Sequence, residues 1–205
     1  METVLDVYCE KYDSKNPLIC MDEASKQVVS DLFPALPMEP GKPRREDHHY
    51  QRQDVRALFI FFDPLRGWRR VSSRAGRTRW DWAEEVRQLL EEDYPHATSI
   101  TLVCDNLNTH QIGSLYAAFE GERAGALRNR LRIVYTPING SWLNMAEMEL
   151  SILTRQCIGR RFASAQEMDQ EIAAWQKHRN RNRYGATWRF TTKDARIKLR
   201  KLYPH

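Results

Sequence analysis

The chain has 205 residues, enough for one domain of ordinary size whose core needs no metal or disulfide to hold it. Hydrophobic residues make up 41% and aromatic residues 10%, including six Trp, which indicates a real core. No apolar run approaches the ~20 residues of a membrane span, and the acidic, polar stretch Met1–Asp13 excludes a signal peptide. The four cysteines form no CxxC pair; that spacing argues against zinc and for reduced thiols in a cytoplasmic protein.

Residues 1–16 read as a lead-in segment. Leu18–Asp22 is a buried strand. Between Leu32 and Tyr50, Pro34, Pro37, Pro40, Gly41 and Pro43 predict an irregular extended loop that also carries the pair His48-His49. Val55–Phe62 is a strongly apolar strand. The turn Asp63–Gly67 returns the chain as Trp68–Ser72, making a hairpin. Thr78 caps the next helix, with Asp81 as its capping-box partner, and Trp82, Ala83, Val86, Leu89 and Leu90 recur at helical spacing through Glu92. Ile100–Asp105 is a fourth strand, Ile112–Phe119 a short helix, Gly121–Arg130 a loop, and Leu131–Thr136 a fifth strand stopped by Pro137. Ser141 caps a helix to about Ile158, and Ser164 caps another to about Asn180. The order β-β-β-α-β-α-β-α-α predicts an α/β fold with a mixed sheet and helices on its faces.

Three acids fall where such a sheet places sites, beyond the carboxyl ends of strands. Asp22 follows the first apolar run, with Glu23 as an adjacent rival facing the other way. Asp105 follows Ile100–Cys104, where turn or helix capping is the competing reading. The third comes from the helix after Asn139-Gly140. At about 100° per residue, its apolar arc runs through Trp142, Met145, Ala146, Leu150, Leu153 and Cys157. Glu149 lies inside that arc and Glu147 at its edge, where a carboxylate can reach the rim of a sheet. Trp142 reads as core rather than as a base-stacking platform. Converging carboxylates repel one another and make more sense as a site for hard divalent cations than as packing.

Charge is uneven. Residues 151–205 hold 13 Lys and Arg against 4 Asp and Glu, a net of +9, which leaves −4 for residues 1–150 out of the total of +5. A second basic stretch, Arg66, Arg69, Arg70, Arg74, Arg77 and Arg79, contains no acid. Basic flanks beside an acidic cluster point to a polyanion such as DNA.

The strings CMDEAS, LVCDNLNTH and YTPINGSWLNMAEMELSILTRQC, in this order, resemble the catalytic core of DDE-type insertion-sequence transposases of the Tc/mariner-like superfamily. The tail WRFTTKDARIKLRKLYP resembles the end of bacterial members. The resemblance implies a ribonuclease-H-like five-stranded sheet with helices on both faces over residues 17–180, followed by a basic tail, 181–205. It assigns the catalytic and metal-binding acids to Asp22, Asp105 and Glu147, holding two Mg²⁺ or Mn²⁺ ions for DNA strand cleavage and transfer. The interval of 42 residues between Asp105 and Glu147 exceeds the superfamily's compact spacing, an excess expected in the loop 121–130. Asn106, His110 and Asn144 fall in the matching blocks as candidates to orient ligands or touch phosphate, and Arg179, Arg181 and Arg183 as further phosphate contacts. The implied partners are transposon-end and target DNA, a second copy of the chain, and an upstream DNA-binding domain or chain. Only 21 residues precede Asp22, too few for the helix-turn-helix units usual in the family. The expectation is therefore a nucleoid-associated catalytic half or, as the alternative, a non-catalytic remnant that acts as a DNA-binding or inhibitory partner.

Overall fold

A computed structural model describes residues 1–33, 36–43, 45 and 49–203, the Leu202 side chain excepted. His48 and Pro34 lie outside the described residues. Among the described residues, five strands form one sheet: β1 (Leu18–Asp31), β2 (Tyr50–Asp63), β3 (Trp68–Arg74), β4 (Ile100–Cys104) and β5 (Leu131–Tyr135), in the order β3-β2-β1-β4-β5. β1, β2 and β3 pair antiparallel, while β4 runs parallel to both β1 and β5. The sheet is the mixed five-stranded one expected.

Side chains on a strand alternate between faces, and here each face has its own core. Ile19, Met21, Phe59, Phe61, Ile100 and Leu102 point to one side. They meet α2 (Arg79–Gln88), α3 (Ile112–Ala118) and α4 (Gly121–Asn129) through Trp82, Val86, Leu115 and Leu127. Leu18, Cys20, Ile60, Phe62 and Val103 point to the other side. There they meet α1 (Glu2–Tyr8), α5 (Met145–Leu153) and α7 (Thr192–Lys198), and Leu58 continues this face onto α6 (Ala165–Arg181). Thr78 caps α2 in a reciprocal box with Asp81, and Ser164 caps α6, both as read from the sequence.

Several local expectations are corrected. β1 runs to Asp31 rather than ending at Asp22, because its second half, Glu23–Asp31, pairs with β2 alone, and from Lys26 on the two strands form a two-stranded ribbon. Such a ribbon lacks the apolar run that marks a buried strand. Residues 121–129 form α4 rather than a loop, so the long interval between Asp105 and Glu147 holds a helix packed by Ala124 and Leu127. Ser141 opens only a turn of 3-10 helix, and the cap of α5 is Asn144, whose side chain accepts the Ala146 N–H. Trp142 is 46% exposed and not core.

The first residues are part of the packing. Val4, Leu5, Val7 and Tyr8 of α1 are buried in the second core. The helix is clasped to the chain's end: Arg196 pairs with Glu2, Thr192 donates to Asp6, and Tyr203 donates to Glu2.

Candidate active site at the fork between β1 and β4

β1 and β4 pair only from Leu18–Thr101 to Cys20–Val103. Two residues further, in the same register, stand Asp22 and Asp105, where the strands part. By parity the Asp22 side chain lies on the α5 face, with Cys20, while Asp105 stands just past the end of β4. The parting leaves the Met21 carbonyl without a strand partner on that side, and Asn144 takes it, its Nδ2 donating over 2.8 Å. One side chain thus caps α5 and fastens the helix start to the residue before Asp22. Tyr8 adds a second fastening, its hydroxyl donating to the Leu143 carbonyl over 2.7 Å. Glu147, in the first turn of α5, is exposed at the rim.

The electrostatics report the proximity. Burial raises the Asp22 carboxyl, the charges of Asp105 and Glu147 add to it, and together they outweigh the Glu23 N–H and His110, so that Asp22 is pushed up to about 7. Asp105 Oδ1 is held by His110 Nδ1 at 2.5 Å. His110 is fully buried, stacks on Trp82 at 5.9 Å, and directs Nε2 toward Glu23 Oε2 at 3.5 Å. Burial opposes its charge, but the hydrogen bonds to Asp105 and Glu23 prevail and lift it to about 9. Glu23 also faces Arg77 at 3.8 Å. The rival acid therefore lies on the opposite face from Asp22 and reaches the site only through His110. Sequence reading missed that link, although the neighbouring Glu23 and the His five residues after Asp105 were both visible.

Glu149 is buried between two arginines. Arg69 Nε lies 2.8 Å from its Oε1, an ion pair without hydrogen-bond alignment, and Arg179 donates to both carboxylate oxygens at 2.8 and 3.2 Å. Arg179 also lies over Trp175 and Tyr184. It is committed to this packing. Arg181 and Arg183 are exposed. Asn106 is exposed and caps no helix, since α3 starts after Gln111. The arginine-rich hairpin is also mostly internal: Arg70 pairs with Glu85 and Asp93, and Arg74 with Glu85.

Among the described residues, no three His, Cys, Asp or Glu side chains stand close enough together to hold a metal ion. The donor set nevertheless suits a hard divalent cation, because Asp22, Asp105 and Glu147 offer oxygens only. An acid raised by its burial and then by two like charges is also the kind of group that a cation relieves.

Residues 17–169 match the sequence profile of the family described as DDE superfamily endonuclease. No curated protein matches. Among solved structures, the chain resembles the Mos1 mariner paired end complex with Mn, with a TM-score of 0.58 and 14% identity over 89% of this chain and 54% of that one. It resembles the Mos1 strand transfer complex to the same degree, with a TM-score of 0.58 and 13% identity, over the same 89% and 54%. The likeness shows the ribonuclease-H-like fold, and the chain spans about half the length of those it matches.

Proposed function

Because this chain belongs to the DDE superfamily endonuclease family, we propose that it is the catalytic domain of a DNA transposase of the insertion-sequence type, cleaving and transferring DNA strands with divalent metal. The observation that carries the reading is the placement of Asp22 and Asp105 in one register at the β1–β4 fork, within the field of Glu147. Asp22, Asp105 and Glu147 would hold Mg²⁺ or Mn²⁺. When bound, such ions supply Lewis acidity toward a phosphodiester and lower the pKa of water or of a 3′-hydroxyl. The chain's own residues prepare the site. His110 fixes Asp105 by one oxygen and leaves the other for a ligand. Asn144 and Tyr8 hold the start of α5, so that Glu147 stays beside Asp22. The proposed partners are the DNA ends and target, a second copy of the chain, and a DNA-binding segment or chain. The solved relatives described as paired-end and strand transfer complexes support the first of these.

The test is nicking of supercoiled plasmid by the purified chain in Mg²⁺ or Mn²⁺. Asp22→Asn, Asp105→Asn and Glu147→Gln should each abolish it, while Glu149→Gln, assayed under conditions where it stays folded, should not. Nicking that survives Glu147→Gln and is lost in a folded Glu149→Gln variant would overturn the assignment. DNA binding with no nicking in the chain or in its complete transposase would favour the non-catalytic alternative.

A further inference from the structure

We propose that Arg66 and Arg183 frame a second phosphate site, for DNA backbone, at the end of the sheet away from the three acids. The inference rests on reading DNA as the substrate. The turn joining β2 to β3 lies beyond the Asp63–Trp68 pair, at the end where β1 begins. The acids stand further along the sheet: Asp22 lies opposite Ile60 and Asp105 follows the last residue of β4. Beside the turn is a cavity of about 460 Å³ lined by Tyr12, Arg66, Trp68, Asn180 and Arg183 among others. A neighbouring hollow of about 360 Å³ shares Tyr12 and Arg66 and adds His96.

The two arginines are set there by backbone construction. Gly67 has φ +68°, and a Cβ on it would come 2.4 Å from the Arg183 carbonyl oxygen. A Cβ on Gly185 would come 2.4 Å from the Pro64 carbonyl oxygen. These two glycines let the segment after α6 lie directly on the turn. The Ala186 N–H donates to Pro64 O over 3.0 Å, and Arg69 donates to the Tyr184 carbonyl. Arg183 itself has φ +50°, a conformation that side chains other than glycine and asparagine rarely adopt. An observed backbone outlier of this kind licenses a hypothesis of function.

Both guanidinium groups are exposed, and among the described residues neither makes an ion pair. Their neighbours Arg69, Arg70, Arg74 and Arg179 are all paired. The nearby acids are already engaged. Asp63 is buried and accepts the Arg66 N–H and the Tyr94 hydroxyl, although its charge still reaches the Arg66 side chain. Asp93 pairs with Arg70, and Asp13 accepts from Lys15 and Asn16. Asn180 is committed to Arg69. What remains is a concave site with two exposed guanidinium groups that have no ion-pair partner among the described residues, Arg66 lying 5.6 Å over the Tyr94 ring and hydrogen-bonded to Tyr94, flanked by Tyr12 at 48% exposure and by Trp68. Guanidinium pairs match phosphate oxygens in this way.

The test is fluorescence anisotropy with a short labelled duplex of arbitrary sequence, without divalent metal, across a salt series. The variant is Arg66→Gln/Arg183→Asn, since asparagine tolerates the left-handed backbone. An exposed control, Arg128→Ala/Arg132→Ala, removes the same charge elsewhere. Each phosphate contact adds about 0.9 to the slope of log affinity against log salt. The variant should therefore lose about 2 from that slope while the control keeps it, with both melting as the parent does. An unchanged slope in a folded variant overturns the proposal. So does an arginine-dependent titration with inorganic phosphate alone that leaves the DNA slope untouched, because the site would then serve a small anion. The measurement does not involve nicking: failure of the catalytic reading leaves the slope standing, and a lost slope difference leaves nicking intact.

Discussion

Asp22→Asn should stabilise the metal-free protein while abolishing cleavage. In the folded chain the Asp22 carboxyl keeps its proton up to about 7, against an ordinary value of 3.8. Between those values the folded state binds the proton and the unfolded chain releases it, so stability falls as pH rises. At about 1.4 kcal/mol per pH unit, the gap sets a ceiling of about 4 kcal/mol. Water reaches this half-buried carboxyl, and screening should reduce the effect to about 1–3 kcal/mol. His110 makes a second, separate window. Its stabilisation is complete below 6.5 and is lost as pH rises through about 9. Urea unfolding in EDTA, followed by Trp fluorescence across both windows, tests this. The parent should weaken from pH 4 upward; the Asn variant should fall less steeply below about 7, since buried Asp63 and Asp93 remain, and should keep the upper fall. Divalent ions should protect the parent most where Asp22 is ionised and should protect the variant little. An Asn variant less stable than the parent at neutral pH, or one with the parent's full slope, would refute the account of the fork.

Glu149→Gln should cost about 3–5 kcal/mol in chemical unfolding, because it strands the buried Arg69 and Arg179 charges; Glu147→Gln, at an exposed position, should stay within about 0.5 kcal/mol. Equal costs for the two would mean that the faces of α5 are misassigned. Asn144→Ala removes the cap and the Met21 carbonyl's partner, and should cost about 1–2 kcal/mol with a loss of nicking. A neutral effect on both would detach Asn144 from the site. Tyr8→Phe should lower stability by about 1 kcal/mol in the same assay, and an unchanged midpoint would show that α1 does not hold α5.

The sheet was legible because β4, β5 and the first part of β1 are apolar runs of strand length. The ribbon beyond Asp22 was not, since a strand with one neighbour and a wet face carries no such run. Asp22 and Asp105 could be singled out because each directly follows a buried strand. That they share a register appears only when Leu18–Thr101 pairing is seen. The edge position of Glu147 followed from helix angle, and the burial of Glu149 was one of the outcomes that angle allowed. The cap shift from Ser141 to Asn144 escaped because both residues are good caps, and the choice was made by a carbonyl on another strand. α1 escaped because seven residues make too weak a pattern. The roles of Arg69, Arg70 and Arg74 depended on tertiary partners, Glu149 of α5 and Glu85 of α2, which no local pattern shows.

The clasp between α1 and α7 has a kinetic consequence. During synthesis α1 emerges long before the residues of α7 that cover it. The second face of the sheet therefore stays incompletely covered until α7 has emerged, with Leu5, Ile60 and Phe62 short of their full packing. Closing so long a loop carries an entropy cost that grows only slowly with length, but it is met before the contacts that reward it form. Intermediates should hold the α2–α4 side formed and the α5 side loose, and that is where aggregation would start. Because Tyr8 holds the start of α5, the helix that carries Glu147 would be among the last parts to settle.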